Sequence, residues 1–233
     1  MNQHTPFKQG LKDGIPIGLG YLSVSIGIGI AAVGGGLHII TALLMSMTNL
    51  TSAGQAAGIS IIAAGGTLIE IALVQLVINL RYALMGISLS QRLDTSFTTG
   101  KRLFLGAFIT DEIYAVASAK ESVNTKYMCG LAIIPYIGWA AGTLIGASAG
   151  TVLPVSVTTA LGMALYGMFV AIVVPAMKKS CDVTIAVCIA AVLSTLFKVL
   201  PFLSCISYGF AVILSSVIAA AVTAFLSVRR QRA

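Results

Sequence analysis

Charge is what this sequence has least of. Only 9% of its 233 residues are Asp, Glu, Lys or Arg, and just 7 are acidic, whereas a soluble domain carries roughly a quarter charged residues. A folded soluble surface cannot be drawn from so small a set. The 58% hydrophobic content instead leaves room for six to eight apolar spans of about 20 residues each, so the chain reads as an all-α, polytopic membrane protein. The same composition excludes disordered, disulfide-scaffold and soluble all-β classes. The apolar stretches are continuous rather than alternating, which argues against an outer-membrane barrel. Cysteine is scarce too: Cys129, Cys181, Cys188 and Cys205 show no CxxC or Cys/His spacing and read as buried free thiols. With two histidines and no Ser/His/Asp set, Walker loop or HExxH, the sequence predicts no enzyme, no cofactor and no metal site.

The charge that is present is mostly basic, with a formal net of +7. The positive residues sit at the ends of apolar segments, the pattern of cytoplasmic loops rather than of nucleic-acid binding. Lys8, Lys12, Lys120, Lys126, Lys178, Lys179, Arg229, Arg230 and Arg232 are expected inside, and the uncharged loops near Pro154 and Pro201 outside. The N-terminal MNQHTPFKQGLKDG lacks the plan of a signal peptide, so the first apolar stretch is expected to stay as a helix. The protein is placed in the cytoplasmic membrane as a multi-pass protein.

The first span runs from Ile15 to Val33 and stops at Gly34, Gly35 and Gly36. Two pieces too short to cross alone follow, His38–Met47 and Ala53–Ala64, split by the polar link Thr48 to Ser52 and closed by Gly65 and Gly66. They predict a re-entrant hairpin or one span unwound in its middle, and such backbone survives only packed in protein or lining a wet cavity. A long helix is expected over Thr67–Leu89 and a barely sufficient one over Leu103–Ala119. Cleaner spans follow at Tyr127–Ala147, Val155–Ala176, Val183–Leu200 and Ile206–Val228.

Two counts compete. If the loop with Arg92, Lys101 and Arg102 lies inside, there are six crossings and two re-entrant pieces. Internal similarity suggests eight: TALLMSM at 41–47 resembles TALGMAL at 159–165, and Pro16 and Gly20 align with Pro135 and Gly138. On that count a single transport domain over 1–233 is built from halves 14–119 and 127–228, as in many transporters.

An ionisable group at mid-membrane needs a partner, water or a function. Glu70 lies near a helix end and is expected at the interface. Arg81 lies deep and too far along the helix from Glu70 to pair with it, since eleven residues span roughly 16 Å. Asp111 and Glu112 are its expected partners. Two readings stand for this cluster: a buried ion pair that fixes helix packing, or a set that binds the charged ends of a zwitterion or relays a proton. Lys198 is expected to snorkel to the interface, Gly142, Gly146 and Gly150 to allow close helix contact, Trp139 and the tyrosines to serve packing or interface roles, and His38 to be a turn residue.

Val77–Leu89, VINLRYALMGISL, followed after a basic loop by Phe108–Ala117, FITDEIYAVA, resembles the central signature of the AzlC family of branched-chain amino-acid permeases. Gly14-Ile15-Pro16, Gln55 after the polar break, and the glycines and prolines from Trp139 to Pro154 fit as well. Thr51, Ser52, Ala53 and Gly54 before Gln55, Ala56 after it, and Met163 where many members carry an acid depart from that pattern and bear on which side chain is carried. The resemblance implies export of small hydrophobic amino acids together with a small membrane subunit of the AzlD type.

The combined expectation is an ion-gradient-driven secondary transporter. Asn49, Ser52, Gln55 and Asn79 are the expected substrate-binding residues and Arg81, Asp111 and Glu112 the charge relay, with broken helix ends offering amides to the substrate carboxylate. The alternatives are a membrane-embedded binding subunit of an ATP-driven transporter, which needs a partner with the missing Walker loop, and a passive channel.

Overall fold

The computed structural model describes residues 6–152, 154, 156, 167, 170, 173–203 and 206–232. Most of the expected span 155–176, the second copy of the repeat at 159–165, Met163 and Cys205 lie outside them. The described residues are helical apart from turns and one isolated parallel bridge, Leu93 to Val123. The helices are α1 (Pro6–Gly34), α2 (Ile39–Thr48), α3 (Ser52–Ala63), α4 (Leu68–Ser90), α5 (Thr99–Gly106), α6 (Asp111–Ser118), α7 (Thr125–Gly150), α8 (Cys181–Val199) and α9 (Tyr208–Arg232). Five of them, α1, α4, α7, α8 and α9, are long and apolar enough to cross a membrane. The chain divides into two compact units, one of Met1–Ala56 with Ile78–Gly162 and one of Ala57–Val77 with Met163–Ala233.

The first unit is built on α1 and α7. Their glycines meet in ascending order along both helices. A Cβ on Gly10 would strike the Tyr127 backbone, one on Gly138 the Gly18 backbone, one on Gly142 Leu22 and Ser25, and one on Gly146 the Ile26 carbonyl. The two helices are therefore parallel and touch backbone to backbone, which only small residues permit. Gly142 and Gly146 serve packing, as expected.

The polar link after α2 breaks the helix through its side chains. Thr48 Oγ1 donates back to the Leu44 carbonyl at 2.8 Å, and Thr51 Oγ1 accepts the Gly54 N–H at 3.2 Å, so Thr51 caps α3. Glycines with left-handed backbone turn the chain at Gly36 (φ 87°) and Gly65 (φ 71°). His38 is a turn residue in the structure, its ring accepting the Ile40 N–H at the start of α2.

The single helix expected over 103–119 is instead two. α5 ends at Gly106 and α6 starts at Asp111, because Thr110 takes the N-cap position and its hydroxyl accepts the Ile113 N–H. Asp111 and Glu112 then fall in the first turn of α6, where carboxylates favour the helix dipole.

Loop pairing fixes which helix ends of the first unit lie together. Asp94 N–H donates to the Val123 carbonyl at 3.0 Å and Val123 N–H to the Arg92 carbonyl at 2.8 Å, while Thr125 N–H donates to Ser96 Oγ at 2.9 Å. Lys120 pairs with Asp13 at 3.2 Å, and the Tyr127 hydroxyl donates to the same carboxylate at 2.7 Å. The Arg92–Arg102 loop thus shares one end with the starts of α1 and α7. Since α1 leaves that end and α4, about 34 Å long, returns to it, α2 and α3 must come back to the side they left. The segment from α5 to α6 also begins and ends at this basic end. Both segments fold back as hairpins, the arrangement of the six-crossing count, whose further crossing at 155–176 lies outside the described residues.

In the second unit α8 and α9 run antiparallel. Asp182, in the first turn of α8, pairs with Arg230 at 3.1 Å and accepts from Ser227 at 2.9 Å. Lys198 lies exposed in the last turn of α8. Cys181 and Cys188 are free but exposed on α8 rather than buried, and Cys129 is free and half-buried. Glu70 lies in the first turn of α4, near the helix end as expected, and is 3% exposed; its Oε1 accepts the Ser207 hydroxyl at 2.7 Å and the Gly209 N–H at 2.6 Å. A carboxylate that caps the positive end of α9 stays buried without a cation.

Candidate functional site

The tips of the two hairpins meet the middles of α1 and α7. At the first tip, Gln55 is wholly buried. Its amide donates to Ser46 Oγ at 2.8 Å and its carbonyl accepts the Trp139 indole N–H at 2.8 Å. Ser46 and Thr143 share a further hydrogen bond of 2.7 Å. Every buried polar group of this cluster is tied to another, the arrangement that keeps such a network from being costly.

At the second tip, the Tyr21 hydroxyl donates to Glu112 and lies 2.6 Å from Thr110 Oγ1. Asp111 pairs with Arg81 at 2.7 Å. Arg81 also lies with its guanidinium over the Tyr82 ring, 5.1 Å from its centroid. The pair is not buried, since the two side chains are 45% and 39% exposed. Arg81 is near the middle of α4 and Asp111 opens α6 at the level of Tyr21, midway along α1.

Two aromatics join the tips. Tyr21 and Trp139 pack edge to face with centroids 5.3 Å apart. Tyr136 donates its hydroxyl to the Met47 carbonyl at the end of α2, 3.1 Å away, while its ring packs edge to face on Phe108 of the other hairpin at 5.2 Å. Two half-helix N-termini, of α3 and α6, thus end at mid-depth within one continuous set of contacts.

Of the residues singled out in the sequence, Arg81, Asp111 and Glu112 come together around α6, with Glu112 held by Tyr21 rather than by Arg81. Asn49 ends α2 and Ser52 starts α3, both half-buried at the first break. Asn79 is half-buried on α4, two residues before Arg81. Gln55 faces protein, not a cavity. Tyr21, Ser46, Trp139 and Thr143 were missed as members of the site. Their one visible signal was position, as polar or aromatic side chains set among the small residues of α1, α2 and α7. Among the described residues no group of three or more His, Cys, Asp or Glu side chains could hold a metal ion.

Comparison with known proteins places the chain among membrane proteins. The AzlC protein family matches residues 16–153, more than half of the chain. The chain is 28% identical over 203 residues to the inner membrane protein YgaZ of Escherichia coli strain K12, covering 83% of each chain. It is 27% identical over 181 residues to an uncharacterized membrane protein of Archaeoglobus fulgidus, covering 76% of this chain and 79% of the relative. A membrane protein of Helicobacter pylori strain J99 is 27% identical over 143 residues, 60% of this chain and 62% of its own. No solved structure matches. The two hairpins and the Arg81–Asp111 pair all fall inside the matched residues, and the chain belongs to the AzlC family as a multi-pass membrane protein, a membership that implies a role in membrane transport.

Proposed function

We propose that this protein is a secondary transporter that exports branched-chain or similar hydrophobic amino acids, driven by an ion gradient and working with a small AzlD-type membrane subunit. The observation that carries this reading is the Arg81–Asp111 pair. It lies at mid-depth on two helices, yet about 40% of its side-chain surface is uncovered. Charge facing hydrocarbon is costly, so that surface faces water or another polar group, as along a substrate path. The α-carboxylate and α-ammonium of an amino acid match such a pair, competing for Arg81 and for Asp111 with Glu112. The N-terminus of α3, with Asn49 and Ser52 beside it, supplies amides to the same carboxylate. The neighbouring apolar helices take the side chain.

The test is flux in proteoliposomes that hold the protein and its small partner. Leucine should leave leucine-loaded vesicles when an ion gradient is imposed, without ATP, and Arg81→Ala or Asp111→Ala should each slow the flux at least tenfold. The exchanged pair Arg81→Asp with Asp111→Arg should recover part of it. Unchanged leucine flux in both single variants removes the pair from the path.

A further inference from the structure

At the basic end of the first unit a cavity of about 110 Å³ opens between the end of α4, the loop after it, α5 and the start of α7. Its walls are the apolar side chains of Leu89, Leu93, Phe97, Leu105, Ile109 and Met128. Leu89, Phe97, Leu105 and Met128 are each less than 8% exposed, so these walls are held in place by the protein. An apolar cavity of roughly 150 Å³ takes benzene, and this one suits an aliphatic group of four or five carbons.

The glycines in its wall carry a separate signal. Gly86 sits inside α4, where glycine destabilises a helix relative to alanine, and Gly106 ends α5. Neither has a left-handed backbone. A Cβ on either would meet nothing within 4 Å, in contrast to Gly10, Gly142 and Gly146 in the helix seam. Neither conformation nor close packing asks for glycine at these two positions. What the missing side chains leave is the volume of the cavity.

Arg102 stands in the lining, exposed and without an ion pair among the described residues. No acidic residue or histidine lines the cavity. It therefore presents one cation beside an apolar slot, at the end of the unit where Lys8, Lys12, Lys101 and Lys126 outnumber Asp94 and Glu121, Lys120 being paired with Asp13. The lining's one hydroxyl, on Ser90, already donates to the Ile87 carbonyl at 2.6 Å, so Arg102 is the one charged group that a ligand meets there.

We propose that this cavity binds a short branched-chain carboxylate, its tail between Leu89, Phe97, Leu105 and Met128 and its carboxylate on Arg102. Its use as an intake site for cargo at the cytoplasmic face rests on the export reading above. The preference for the carboxylate and the tail over the ammonium is a property of the cavity alone.

The experiment is calorimetric titration of the purified full chain with 4-methylpentanoate, which keeps the leucine tail and carboxylate and lacks the ammonium. Binding should weaken at least tenfold in Gly86→Leu, whose new side chain fills open space, and in Arg102→Gln. Arg102→Lys should lie within threefold of the unaltered protein, L-leucine should displace the probe, and acetate should bind no better than the probe binds to Arg102→Gln. Equal binding of the probe by the unaltered protein, Gly86→Leu and Arg102→Gln, or no binding at all, overturns the site. Displacement by phosphatidylglycerol but not by leucine assigns the cavity to a lipid and overturns it as well. Absence of leucine flux with Arg102-dependent binding retained removes the export reading and leaves the site standing.

Discussion

At the scale of single residues, the two hairpin tips are held in different ways. Gln55 uses both ends of its amide, on Ser46 and on Trp139, so truncating it leaves a buried indole N–H without its acceptor. An orphaned buried donor costs about 1–3 kcal/mol, although hydrogen bonds in membrane proteins average nearer 0.6 kcal/mol. Gln55→Ala should therefore lower stability by about 2 kcal/mol, read as a drop in the thermal unfolding midpoint in detergent. Trp139→Phe removes the other partner and should make the second change much smaller than the first. Independent, additive losses in the double variant would show that the two side chains do not share one interaction. The Arg81–Asp111 pair is the opposite case. Its partial exposure gives it little weight in stability, and its loss should show in flux before it shows in unfolding.

At the scale of elements, glycine does two unlike jobs. In the α1/α7 seam a larger residue meets backbone, which cannot move aside. Gly146→Leu should thus prevent the two helices from closing, with the protein lost from the folded peak in size-exclusion chromatography. Gly20→Ala, where a Cβ meets nothing within 4 Å, should leave that peak and the unfolding midpoint unchanged. The reverse result would mean that the seam is not where α1 and α7 touch. The elements also show what could be read in advance. The break between α2 and α3 is spelled out by Thr48, Asn49, Thr51 and Ser52, four side chains that compete for backbone hydrogen bonds. The break between α5 and α6 is not, because Gly106, Ala107, Phe108 and Ile109 continue an apolar run and only the capping of Thr110 ends it. The burial of Glu70 was hidden for a related reason. Its partners are a hydroxyl and a backbone amide more than 130 residues further along the chain, and nothing in the local spacing announces them.

At the scale of the whole molecule, composition led to a helical membrane protein, and the basic residues led to an orientation, without any contact being known. That the Arg92–Arg102 loop shares an end with the starts of α1 and α7 needed the pairing around Leu93 and Val123, which sequence spacing does not encode. Single cysteines placed in a cysteine-free background at the exposed positions Thr95 and Glu121 should react with an impermeant thiol reagent from the same side of the membrane. One at His38 should react from the opposite side. Labelling of Thr95→Cys and His38→Cys from one common side would restore the eight-crossing arrangement. The candidate site was legible in its charges, Arg81, Asp111 and Glu112. It was not legible in the aromatic groups that join the tips, because Tyr21, Tyr136 and Trp139 look like ordinary packing residues until the hairpins are brought beside them.

The glycine seam between α1 and α7 bears on how access to such a site can change. Two backbones pressed together have no side-chain rotamers to exchange and no gap to slide into, so the pair behaves as a fixed post. The hairpin tips are fastened to that post by only a few hydrogen bonds and ring contacts on each side. In the proposed transport cycle, opening the path toward one face of the membrane would amount to releasing one tip while the other stays docked, and Tyr136, which touches both, is the residue that would register which of them has let go.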